Sequence, residues 1–230
     1  MKFAGTLLGL ASMLLLVSCG GGGGGSTGGT TSGNGSGSGS QTLLTVSLSG
    51  DYFAVPASDP DFNASGAGGV TTGLVQPTLG PDGLPVITSK AQQPGTTIND
   101  VNAVGEIQWW SAPRAGVVQD FAAKVDPLPF SFDNFFPAGQ TSDSLTMRTV
   151  HWKGTITTTA AGTLIFDGAA DDDLWVFVDS KLVVDNGGVK NFQAPVDVPL
   201  AVAAGTHSID VFYADRSMAK ATIALAIRLQ

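Results

Sequence analysis

One cysteine, one glutamate and two histidines occur in 230 residues, and charged side chains make up only 13% of the chain. With Cys19 alone, no disulfide can form within the chain, so its fold must stand on a hydrophobic core or on a metal. Glu106 is the single glutamate, so eighteen of the nineteen acids are aspartates. Glutamate forms helices, whereas aspartate bonds to its own backbone in turns and ligates hard cations. Eleven basic residues against nineteen acids leave a formal net charge of −8, a balance that repels nucleic acid and anionic lipid. No P-loop or GxGxxG follows a strand, so Gly187-Gly188 reads as a plain turn. Long apolar runs are also missing. The stretch 3–16 is about 14 residues, too short to span a bilayer as a stable helix.

That stretch, preceded by Lys2, has the form of a cleaved signal over residues 1–18. Its end, Leu16-Val17-Ser18-Cys19, resembles the bacterial lipobox, which implies a lipid on Cys19 and a membrane as partner. The alternative is an ordinary secretory signal with a chance cysteine. Removing the signal removes Lys2 and moves the net charge from −8 to −9. Residues 20–40 are Gly, Ser, Thr and one Asn, a flexible linker reaching about 25 Å. The expected organisation is therefore signal 1–18, lipidated Cys19 and linker 19–40, and one domain over 41–230, long enough to bury its own core. The expected location is the cell envelope, at the outer membrane or cell surface if the host has two membranes.

From residue 42 the pattern is short strands between turns. Residues 44–48 alternate with period two, 149–159 are rich in β-branched side chains, and 163–166, 174–178, 182–184, 196–202, 207–213 and 221–229 follow every 8–12 residues. That rhythm belongs to an all-β sandwich or barrel. Residues 174–178 do not alternate, so both faces should be covered. Asp179-Ser180 reads as a tight hairpin turn, and Gly80-Pro81-Asp82-Gly83 as another. Residues 56–100 are punctuated by Pro, Gly, Thr and Asp and should form an irregular excursion. A short helix is expected within 99–108 or 117–124.

The densest chemistry is Asp171-Asp172-Asp173 between two apolar runs. Successive carboxylates repel one another and raise each other's pKa unless a cation lies among them, and oxygen ligands in a loop suit a hard ion such as Ca²⁺. A solvated acidic loop is the plainer alternative. The stretches 151–156, 161–166, Asp171-Asp172, 179–185 and 204–213 resemble the PA14 domain. More narrowly, 171–181, Leu182-Val-Val-Asp-Asn-Gly-Gly-Val-Lys190, Asp59-Pro-Asp-Phe62, Gln108-Trp-Trp110 and Phe135-Phe-Pro137 resemble its fibro-slime branch. The resemblance implies a PA14-like antiparallel β-sandwich with an irregular N-terminal excursion. It also implies a Ca²⁺ on two adjacent aspartates joined by a cis peptide, which fall on Asp171 and Asp172, with the ion ligating sugar hydroxyls. Relatives add an asparagine from the loop that is 214–219 here. This chain has none there, leaving Asp215 as a substitute metal ligand and Arg216 as a hydrogen-bond donor to a sugar. Asp173 stands where the family often has glycine. Metal ligands are thus expected at Asp171, Asp172 and Asp215, and ligand contacts at Asp171, Asp172, Asp173, Asn186 and Arg216. Asp143 lies outside the motif.

Trp109 and Trp110 could stack on a sugar face or pack in the core; Trp175, inside a dense apolar strand, reads as core. His151 and His207 read as structural. No enzyme-family motif occurs, and a glycoside hydrolase would need two carboxylates facing across a groove. The function expected is a non-catalytic, Ca²⁺-supported surface module binding a glycan or exopolysaccharide in adhesion. The alternative is a non-binding structural component of extracellular slime.

Overall fold

The computed structural model describes residues 41–230 apart from 63, 65–67, 112–113, 115, 194–196 and 219. Cys19, the signal and the linker lie outside the described residues. Gly39–Gln230 forms one compact unit.

Thirteen strands build it: β1 (Thr42–Leu43), β2 (Ser47–Pro56), β3 (Val75–Leu79), β4 (Pro85–Ile87), β5 (Val118–Pro127), β6 (Phe130–Phe132), β7 (Thr146–Thr158), β8 (Gly162–Asp171), β9 (Asp173–Val178), β10 (Lys181–Asn186), β11 (Val198–Val202), β12 (Gly205–Ala214) and β13 (Thr222–Leu229). Every paired strand is antiparallel. The larger sheet runs β4-β3-β10-β9-β12-β7-β2-β5; the smaller runs β1-β13-β8-β11, with β6 also on β13. The fold is an all-β sandwich.

Alternation along β9 shows how the sequence divides two cores. Leu174, Val176 and Val178 point between the sheets, where they meet Trp152, Phe166, Tyr213, Ile223 and Leu225. Trp175 and Phe177 point the other way, onto a second cluster with Phe212, Phe53, Trp109, Trp110 and Phe62. Both faces of the strand are dry, which explains a run of six buried residues without a polar one after Asp173. The cover over the outer face comes from the excursion, whose regular elements are β3, β4 and a 3-10 turn at Ser89–Gln92. Trp109 and Trp175 stack at 6.1 Å between ring centroids. Asp179 and Ser180 take φ of 49° and 61°, the backbone of a two-residue hairpin whose twist matches its strands. Gly83 donates to the Gly80 carbonyl at 3.0 Å, closing the second turn.

Two expectations are corrected. Residues 117–124 are not helical: 118–127 form β5, pairing with β2, and sheet pairing overrides the local helix preference of Ala122-Ala123-Lys124. Residues 99–108 hold only isolated bridges, Val101 to Ile107 and Val86 to Glu106. The 44–48 strand is also displaced, because β2 begins at Ser47 and runs to Pro56.

Candidate functional site

At one end of the sandwich the chain crosses between sheets four times. Residues 133–145 join β6 to β7, Asp172 joins β8 to β9, 187–197 join β10 to β11, and 215–221 join β12 to β13. Pairing fixes the corner. Asp171 lies opposite Thr222 in the small sheet, and Asp173 opposite Ala214 in the large one. The Asp171–Asp172 peptide bond is cis. Three of these crossings bring an aspartate to the corner, Asp143, Asp172 and Asp215, and the fourth brings Lys190.

All these groups are buried, Asp172, Asp173, Asn186 and Asp215 completely. Asp172 is held from both sides: the Lys190 amide donates to Oδ1 and the Arg216 amide to Oδ2, each at 2.7 Å. Asp173 accepts from the Gly188 amide at 2.5 Å and pairs with the Arg216 guanidinium at 3.4 Å. The Arg216 Nε donates to the Asp61 carbonyl at 2.8 Å, and its guanidinium sits 4.7 Å over Trp109. Against this, Asp171 Oδ1, both oxygens of Asp215, Asp143 Oδ2, Asn186 Oδ1 and Lys190 Nζ are buried with no hydrogen-bond partner. Buried polar atoms are rarely left unmet.

The charges carry the cost. Burial, followed by the Asp172 charge, pushes Asp171 up to about 7. Burial and then Asp172, Asp143 and Asp171 hold Asp215 well above the carboxylate range. Burial raises Asp172, with Asp173 next, and burial raises Asp143. Burial pulls Lys190 down, though Asp173, Asp172 and Asp171 oppose it. A set of oxygen donors, five carboxylates with one ammonium and one guanidinium beside them, suits a hard cation.

The sequence motif missed Asp143. It comes from a serine-rich loop with no local partner, and only the tertiary structure sets its charge on Asp171 and Asp215. A second acidic set was also missed. Asp59, Asp61 and Asp100 each place a carboxylate oxygen within 4.8 Å of the others, so they could hold a metal ion. Asp171, Asp172 and Asp215 do not reach that mutual spacing. The two sets differ in what already satisfies them. Arg114 pairs with both Asp59 and Asp100. Asp61 accepts from the Asn99 and Asp100 amides, the Asn99 side chain and the Trp109 indole. The unmet demand therefore lies at the Asp171 corner.

Two adjoining grooves open beside it, of about 190 and 430 Å³, sharing Ala64, Gly95, Val189 and Arg216. Thr71, Thr96, Thr97 and Asn99 line them with hydroxyls and an amide. Trp109 and Trp110 face the second core, where the Trp110 indole donates to the Tyr213 carbonyl at 2.9 Å. His151 is buried against Asp210, and His207 pairs with Asp179.

Residues 138–229 match the PA14 domain. The match includes every crossing residue named above, from Asp143 to Arg216. Two Dictyostelium discoideum proteins resemble more of the chain: Protein psiR, 28% identical, covers 77% of this chain and 20% of its own length, and Protein psiB, 26% identical, covers 77% and 38%. The chain thus spans about a fifth to two fifths of these relatives. Among solved structures, a PA14 sugar-binding domain from an RTX adhesin aligns over 81% of this chain and 92% of its own, at 14% identity and a TM-score of 0.40.

Proposed function

We propose that this PA14 domain is a Ca²⁺-dependent carbohydrate-binding module, held at the cell surface by a lipid on Cys19. The observation that carries the reading is the set of buried, unpartnered carboxylate oxygens on Asp171, Asp215 and Asp143. Leaving such groups unmet costs several kcal/mol each, and a divalent cation meets them at once. Ca²⁺ accepts six to eight oxygens in flexible geometry, whereas Mg²⁺ demands a tighter octahedron than this spread of side chains offers. Asp171, Asp172 and Asp215 would hold the ion, with the Asn186 carbonyl oxygen beside them. The ion supplies positive charge to carboxylates that otherwise repel, and positions open to hydroxyl oxygens.

Support for a glycan comes from the neighbouring grooves. The larger falls in the volume range of small-ligand sites, and hydroxyls and an amide line it. Arg216 joins groove to ion site: its amide holds Asp172 while its side chain lines both grooves. Asp173 acts in this arrangement as an anchor for Gly188 and Arg216. A glycan array probed with the domain in calcium and in chelator tests the reading. Hits lost on chelation support it; silence in both conditions overturns sugar binding and favours a structural slime component.

A further inference from the structure

We infer that Asp143 is a further ligand of the same cation, so that ion binding clamps the 133–145 crossing onto the two crossings that carry Asp172 and Asp215. The inference rests on the cation reading above. Its starting point is a loop whose polarity is inverted. In Ser142-Asp143-Ser144-Leu145 the two serines are exposed and bond to each other at 3.1 Å, and Leu145 stands 73% exposed. Asp143 alone is buried, at 5% exposure. Water favours the opposite choice, since burial stabilises a leucine and a buried carboxylate without a counter-charge is penalised. Something must repay the carboxylate.

Its own backbone amide repays part of that cost, and among the described residues no cation pairs with it. Among the described residues Asp143 has no ion pair, and its Oδ2 has no hydrogen-bond donor. Arg148 pairs with Asp120 and donates to the Phe136 carbonyl, and Lys190 Nζ makes no hydrogen bond. What Asp143 does face is the negative charge of Asp215 and Asp171. Asp143, Asp171 and Asp215 each bring a buried, unpartnered oxygen to the same end of the sandwich, and one cation drawing them closer than they now stand would meet all three. The topology gives each ligand a separate origin, since 133–145, 172 and 215–221 are different sheet-to-sheet connections. The 133–145 crossing already meets the 215–221 crossing through the Phe135 amide on the Ala221 carbonyl at 2.8 Å, and an ion would add a second tie at Asp143.

Calorimetric titration of Ca²⁺ into the full chain in detergent, with a melt in chelator, tests this on Asp143→Asn, with Ser142→Ala as the neighbouring control. The expected result is at least a tenfold weaker Kd for Asp143→Asn, an unchanged Kd for Ser142→Ala, and a melting temperature in chelator equal to or above that of the parent, because a repulsive charge has gone. An Asp143→Asn Kd within twofold of a calcium-binding parent overturns the inference and leaves the cation reading standing. A parent that takes up no Ca²⁺ overturns both. Should Asp143→Asn fail to fold, hydrogen exchange on the parent decides: amides 138–145 gain protection with Ca²⁺ if Asp143 is a ligand, and unchanged exchange there overturns it.

Discussion

Tyr213 donates its hydroxyl to the Asp171 carbonyl at 2.8 Å, tying β12 of the large sheet to the last residue of β8 in the small one. The bond is fully buried and fixes the corner from which Asp171 and Asp172 project. Tyr213→Phe strands that carbonyl, at a cost of about 1–3 kcal/mol. The melting temperature should fall by several degrees, and Ca²⁺ affinity should fall with it as the corner loosens. Paired melts and titrations check both.

Calcium should raise the stability of the folded domain by mass action, by about 2.7 kcal/mol at a hundredfold excess over Kd. For a domain of this length that is a shift of about 5–10 °C in the melt. Mg²⁺ should recover little of it. Asp172→Asn and Asp215→Asn should each remove the calcium response; a variant that keeps the full shift would take that residue out of the ion site.

The pH dependence without metal should run opposite to ordinary acid denaturation. Carboxylates whose pKa rises on folding bind protons more tightly in the native state, so stability is gained as pH falls from about 7, the value for Asp171, toward the ordinary carboxylate value of 3.8. Asp215, Asp172 and Asp143 act in the same direction. His151 opposes them, since burial lowers its pKa and stability is lost as the unfolded histidine protonates near 6.5. The measurement is therefore a difference: in chelator, parent minus Asp215→Asn stability should be greater at pH 5 than at pH 7.5. A flat difference would mean that Asp215 carries no burial penalty.

Asp173 was legible as a member of the motif and its role was not. It was expected as a ligand contact, at a position where relatives often have glycine. In the structure it is wholly buried, accepts from Gly188 and pairs with Arg216. Asp173→Gly should cost about 1–3 kcal/mol by stranding those donors, with a lower melt in chelator as the readout. No change in the melt would make it a bystander.

Cys19→Ser should move the protein from membrane to soluble fractions and abolish palmitate labelling. Retention with label intact would remove the lipid from the reading.

What the sequence disclosed was whatever a local pattern could encode. Asp179-Ser180 between apolar runs announced its hairpin, and 174–178 announced a strand covered on both sides. Residues 117–124 misled because Ala-Ala-Lys has helix preference while its pairing with β2 is a long-range fact. Asp143 was invisible for the same reason. Nothing in a serine-rich loop says where the fold will carry Asp143, and no spacing rule connects it to residues 28 and 72 positions later. Arg114, the counter-ion that satisfies Asp59 and Asp100, lies equally far from any motif.

The roof that the excursion lays over the larger sheet decides where this unit can be cut. The PA14 match opens at residue 138, yet β2 and β5 lie upstream, as do Phe62, Trp109 and Trp110. A clone started at 138 would present Trp175, Phe177 and Phe212 to water as one aromatic sheet face, and such a surface sticks to its copies. That fragment should collect in inclusion bodies. Any shuffling of this unit between genes must carry the upstream hundred residues as its passenger.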